Sequence, residues 1–123
     1  MSDDPRLARI SDICLALPEV TREDNGPHSS FAVRKKKFAY FLDDHHGDGK
    51  LALCWRATPG QETLLESEPD RFFSPAYLGS RGWLAVRLDL GEIDWEEISD
   101  FVDQSYRLTA PRGLLATLPP LDS

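Results

Sequence analysis

The residues that could do chemistry fall into three groups: three histidines, a run of cations and a set of aromatics near one arginine. His28 stands in Gly26-Pro27-His28-Ser29-Ser30-Phe31, at the entry to a strand. An imidazole there can donate to a ligand or take a proton near neutral pH. Its plainer role is to cap a turn or bond to backbone. Tyr77, Arg81 and Trp83 place two aromatic surfaces and one guanidinium on a loop leading into a strand. That combination stacks on a planar ring and clamps an anion. Large aromatics also serve simply to pin a loop onto a sheet. With His28 and Trp55 the set could line one aromatic pocket with a cationic end. Arg34-Lys35-Lys36-Lys37 is an uninterrupted basic run, and Lys50 follows at the end of the next loop. Such a run can neutralise phosphates.

Other chemistries lack their residues. There is no Gly-x-Ser-x-Gly, and neither Cys14 nor Cys54 has a histidine or charged flank. Each thiol reads as a small buried hydrophobe in a reduced protein, not as a nucleophile or half of a disulfide. Phosphate cradles of the Gly-x-Gly-x-x-Gly or Walker type are absent, and no acid/base pair stands out. The loop Asp43-Asp44-His45-His46-Gly47-Asp48 holds ligand types for a divalent ion. But His45 and His46 would point to opposite sides of an extended chain, and the loop fails the calcium pattern. It reads as a solvated hairpin loop. No metal site, no cofactor and no enzymatic activity are expected.

The elements that must position these residues are legible from periodicity. Leu7, Ile10, Ile13, Cys14 and Leu17 recur at helical spacing behind Asp4 as cap and Pro5 in the first turn, and Pro18 ends the helix. Glu19 to Asn25 reads as a short edge strand. Ser30–Val33 and Lys37–Leu42 are strands separated only by Arg34, Lys35 and Lys36, so they form a hairpin with a basic tip. Without a glycine at that tip, either a non-glycine residue takes φ > 0 or the loop is wider. Lys50–Trp55 is the third strand of the meander. Thr58 and Gln61 resemble a capping box for a helix to about Ser67. Arg71 to Arg81 reads as irregular, Trp83–Leu88 as a strand. Asp94 and Glu97 open a helix whose apolar stripe is Trp95, Ile98, Phe101, Val102 and Tyr106. A last short helix spans Pro111 to Leu118. Apolar residues on both strand faces imply that helices cover one face and something lighter the other. The reading is an α+β fold, an antiparallel sheet with helices packed on one side, as one domain over residues 1–123.

Composition narrows the partners. Fourteen Lys and Arg against 21 Asp and Glu give a net charge of −7, which opposes non-specific nucleic-acid binding. The charge is uneven: Asp89 to Asp103 holds only acids, opposite in character to the basic run. No apolar stretch approaches a membrane span and the acidic N-terminus is no secretory signal, so a cytoplasmic monomer is expected.

Several segments together resemble a known family: Ala16-Leu17-Pro18-Glu19-Val20, His28-Ser29-Ser30-Phe31, Lys37-Phe38-Ala39-Tyr40, Pro75-Ala76-Tyr77-Leu78-Gly79-Ser80-Arg81-Gly82-Trp83, Asp94-Trp95, Ser105-Tyr106-Arg107-Leu108 and Ala110-Pro111-Arg112. Their order and spacing resemble the MmcQ/YjbR family of small bacterial proteins, from Arg6 to Leu115. The resemblance implies a CyaY-like or secretion-chaperone-like fold and a role in binding DNA through two β-hairpin wings. On this chain the wings would be Arg34 to Lys37 and the loop Asp43 to Lys50. Beside DNA stand two alternatives: a small anionic ligand in the His28, Trp55, Tyr77, Arg81, Trp83 pocket, or a protein partner on the acidic stretch.

Overall fold

In the computed structural model, which describes residues 4–118, six antiparallel strands form one sheet in the order β1-β2-β3-β4-β6-β5. The chain begins with α1 (Pro5–Leu15), where Asp4 accepts from the Arg6 N–H and Pro5 needs no acceptor. Strands β1 (Val20–Asn25), β2 (His28–Val33) and β3 (Lys36–Asp43) follow as a meander, then β4 (Leu51–Arg56). After α2 (Leu64–Ser67) come the two-residue β5 (Phe72–Phe73) and β6 (Trp83–Arg87). The chain closes with α3 (Trp95–Thr109) and α4 (Arg112–Leu115). In α3, Asp94 accepts from the Glu96 and Glu97 N–H groups, the cap expected from the sequence.

Element ends shift by a few residues, as in the last helix, which is Arg112–Leu115 and not Pro111 to Leu118, and three readings differ further. The helix expected from Thr58 is reduced to a 3-10 turn at Gln61–Thr63 and the single turn α2, because Gly60 is left-handed at φ 94° and interrupts it. Half of the capping box survives: Gln61 Oε1 accepts from the Thr58 N–H at 2.8 Å. The stretch from Arg71 is not all irregular, since Phe72 and Phe73 pair with Val86 and Ala85 at the sheet edge. And the hairpin tip is tighter than three residues. Arg34 and Lys35 alone turn the chain, both at positive φ (50° and 69°). That is the backbone of a type I′ turn, which glycine or asparagine normally supplies.

Helices α1 and α3 cover one face of the sheet. Their apolar stripes, Leu7, Ile10 and Cys14 from α1 and Ile98, Phe101, Val102 and Tyr106 from α3, join Phe31, Phe41, Leu53, Trp55 and Val86 in the main core. The Trp55 ring stacks on Phe101, centroids 4.1 Å apart and 9° from parallel. Its Nε1–H donates to Gln61 Oε1 at 3.1 Å, so the buried indole keeps a partner. The opposite, outer face carries a second, smaller cluster. Leu42, Ala52, Cys54, Trp83 and Ala85 are buried there against Tyr40, Phe73 and Leu78. Leu78 belongs to the segment 74–82, which folds back over the outer face. The segment is tightly folded on itself: a Cβ on Gly79 would sit 1.9 Å from Ser74 Oγ. Burial pushes both thiols far up from their ordinary values, which leaves them protonated and unreactive. Among the described residues, no helix is long and apolar enough to cross a membrane.

Candidate binding cleft

Between the outer face of β2–β3 and the covering segment lies a cleft of about 270 Å³. Asn25, His28, Tyr40, Leu42, His45 and Tyr77 are among the residues that line it. The sheet places four of them, two by alternation and two by register. Tyr40 and Leu42 are two residues apart on β3 and share the outer face, and the β1–β2 register sets Asn25 opposite His28. The loop 44–50 and the segment 74–78 supply the rest.

The walls are held by specific bonds. Asp43 N–H donates to His28 Nδ1 at 3.1 Å. This makes Nδ1 the acceptor and leaves the proton of the neutral ring on Nε2. His45 Nε2 lies 3.2 Å from the carbonyl oxygen of Ala76, which can only accept, so that nitrogen donates. His45 thereby ties the β3–β4 loop to the covering segment. The same Ala76 oxygen accepts from Leu78 N–H at 2.7 Å, around a Tyr77 at φ 66°. A γ-turn of that sign is the strained form, and a bulky residue at positive φ is uncommon. Tyr77 is 76% exposed, so burial does not explain why its ring is held there. His46, also at positive φ (52°), places its ring 4.7 Å from Tyr77. Strained residues gather at sites where another requirement overrides local preference.

The two adjacent histidines overturn one expectation. His45 and His46 do not point to opposite sides. Their rings meet edge to face, 4.3 Å apart, because the chain is not extended there. His45–Gly47 form a single 3-10 turn with His46 left-handed. His28 joins them at 5.6 Å from His45.

His28 also carries a pH dependence. Burial, then the nearby His45, lowers its pKa from the ordinary 6.5, while Asp43 and Asp48 pull the other way. The unfolded chain therefore takes the proton first, and stability contributed here is complete above 6.5 and is lost as pH falls through the depressed native value. Urea unfolding at about pH 7.5 and about pH 5 should show a loss of stability in acid that His28→Asn reduces. An unchanged acid loss in the variant would assign it to other groups.

The residues singled out from sequence do not all meet. His28 and Tyr77 line the cleft. Trp83 lies beneath it, its ring 5.2 Å from Tyr40, and Arg81 stays exposed on the loop with its charge felt at Tyr40. Trp55 is a correction. It is fully buried on the helix face, because the β4–β6 register pairs Trp55 with Leu84 and Arg56 with Trp83. The two tryptophans therefore face opposite sides of the sheet. The sequence does not single out Tyr40, Leu42 and Asn25, although strand alternation groups Tyr40 with Leu42, and it offers His45 only as a metal ligand.

The basic candidates also separate. Arg34 is held by Glu19 through two bonds of 2.5 and 2.9 Å, and Lys37 lies 3.8 Å from Glu23. Lys35 and Lys36 are exposed and have no ion pair among the described residues. Lys50 cannot join them. It sits beyond the far end of β3, its ammonium 4.3 Å from the Phe73 ring. The two expected wings are thus at opposite ends of the sheet. The acidic stretch is partly consumed by structure: Asp94 caps α3, Glu97 pairs with Arg71, and Asp89 with Arg87.

One helical layer under an antiparallel sheet, with a cleft on the other face, defines an α+β fold. The chain belongs to the YjbR family, whose sequence profile matches residues 15–108. The crystal structure of Deinococcus radiodurans protein DR2400, of the domain family DUF419, is similar to it with a TM-score of 0.69 at 22% sequence identity. That likeness covers 87% of this chain and 80% of the other and establishes the shared fold. No curated protein matches the sequence.

Proposed function

We propose that the protein is a non-enzymatic binding module whose cleft takes a small, planar organic molecule. The observation that carries this reading is the exposed Tyr77, held at positive φ over the mouth of a largely apolar cleft, with Tyr40 and Leu42 as the floor. Concave, mostly apolar sites with a few polar groups are where small molecules bind. A thermal-denaturation screen of planar aromatics tests it. A ligand at one hundred times its Kd adds about 2.7 kcal/mol, a shift of several degrees. Ala76→Trp, at an exposed lining position, should fill the mouth and abolish the shift. A flat screen, or a shift that survives Ala76→Trp, overturns the reading.

A second reading, DNA binding, is favoured by Lys35 and Lys36, in and just after a two-residue turn, both exposed and without an ion pair among the described residues. Two phosphate contacts correspond to a slope of about −1.8 in log affinity against log salt. Anisotropy of a labelled duplex at low salt should show weak binding that Lys35→Glu/Lys36→Glu removes. Absence of binding by the native protein removes the reading.

A further inference from the structure

We infer that the ligand of the cleft carries an anionic head, a carboxylate or phosphate, seated by Lys37 and Tyr40 while its ring lies against Tyr77. This rests on the cleft being a binding site. Among the described residues lining it there is no Asp or Glu, in a chain with 21 of them. Its side chains offer donors: the Lys37 ammonium donates only, and the hydroxyls and the Asn25 amide donate as well as accept. His28 keeps its Nε2–H, because Nδ1 is taken by the Asp43 N–H. The Tyr40 hydroxyl has no partner among the described residues. The Lys37 ammonium lies 5.7 Å from the Tyr40 ring centroid and forms an ion pair with Glu23 at 3.8 Å, too long for a hydrogen bond, so its N–H donors stay open to a ligand. A lining with cation and donors but no carboxylate is matched by an acceptor-rich, negative group.

The neighbouring groove shows the contrast. It shares Ser30 and Lys37 with the cleft and contains Arg34 and Lys35, yet Glu19 and Glu23 line it too. Lys37, the cation common to both, meets its carboxylate on the groove side, where Glu23 lies, while no described carboxylate lines the cleft side. The apolar remainder, Leu42 and Leu78 with the tyrosine rings, is matched by a flat hydrophobic body.

Matched probes separate the parts of this inference. Isothermal titration with 2-naphthoate, 2-naphthyl phosphate and the neutral isostere 2-naphthamide should give binding of at least one anion and about tenfold or weaker binding of the amide. Lys37→Met and Tyr40→Phe, both conservative in shape, should each weaken the anion more than the amide, because only the anion gains a charge-assisted bond there. The preferred anion distinguishes carboxylate from phosphate. Equal binding of acid and amide, or an anion affinity untouched by Lys37→Met, overturns the anionic head and leaves the cleft reading standing. No binding of any probe, with native unfolding curves intact, overturns both.

Discussion

Replacing Trp55 by alanine should remove about 3–5 kcal/mol of stability, the usual cost of truncating a buried tryptophan. The ring is fully buried, stacks on Phe101, and meets Phe72 edge-on at 6.2 Å. Its loss opens a void between β4 and α3 that rigid neighbours on both sides cannot close. It also removes one of the two donors to Gln61 Oε1, which keeps the Thr58 N–H. A domain of this size holds about 5–15 kcal/mol in total, so the variant should unfold at far lower urea. The comparison that decides the matter is Trp83→Ala on the outer face, which keeps 8% exposure. It should cost less and should disturb the cleft through Tyr40. If Trp55→Ala cost under about 1.5 kcal/mol, the indole would not be packed as described.

Ser105→Ala should cost about 2–3 kcal/mol, large for the loss of one oxygen. Its hydroxyl, fully buried on α3, donates to the Phe38 carbonyl at 2.5 Å and accepts from the Arg56 N–H at 2.9 Å. These two backbone groups would face each other if the β3–β4 ladder continued beyond the Ala39–Trp55 pair. It does not continue, because the register against β2 shifts between Phe31 and Ala32 and leaves Phe38 as an extra residue. Ser105 bridges the gap. Alanine would leave a buried donor and a buried acceptor without a partner. Hydrogen exchange at Arg56 gives the specific readout. Its amide should exchange faster in the variant, while the amides of β1 and β2 keep their order.

Much of the frame is legible before folding. Asp4-Pro5 and Asp94 mark the two long helices because capping is local chemistry. The β2–β3 hairpin follows from two alternating runs and a short break. What the residues do not announce is pairing. The two-residue β5 exists only because β6 lies beside Phe72 and Phe73, and nothing in its own sequence distinguishes it from loop. The same holds for the site. Alternation shows that Tyr40 and Leu42 share a face, but whether Trp55 shares one with Trp83 depends on the register between β4 and β6. That register joins residues of opposite parity, so a pocket assembled from aromatic content alone included the wrong tryptophan. His45 and Tyr77 reach the cleft through left-handed backbone, which local propensity disfavours.

The sheet order has a consequence for how the molecule comes to exist. Strands β1 to β4 are each beside their neighbour in sequence, joined by short connections, whereas β6 reaches β4 only after residues 57–82 have closed a long loop. Short closures are faster and cost less entropy. On a chain emerging N-terminus first, the meander is therefore complete while Trp83, Leu78 and Tyr77 are still to come. During that interval Leu42 and Cys54 are bare apolar residues on an open face. The cleft is thus assembled only after the meander that floors it, and both faces of that meander wait for later chain: the outer one for segment 74–82, the inner one for α3.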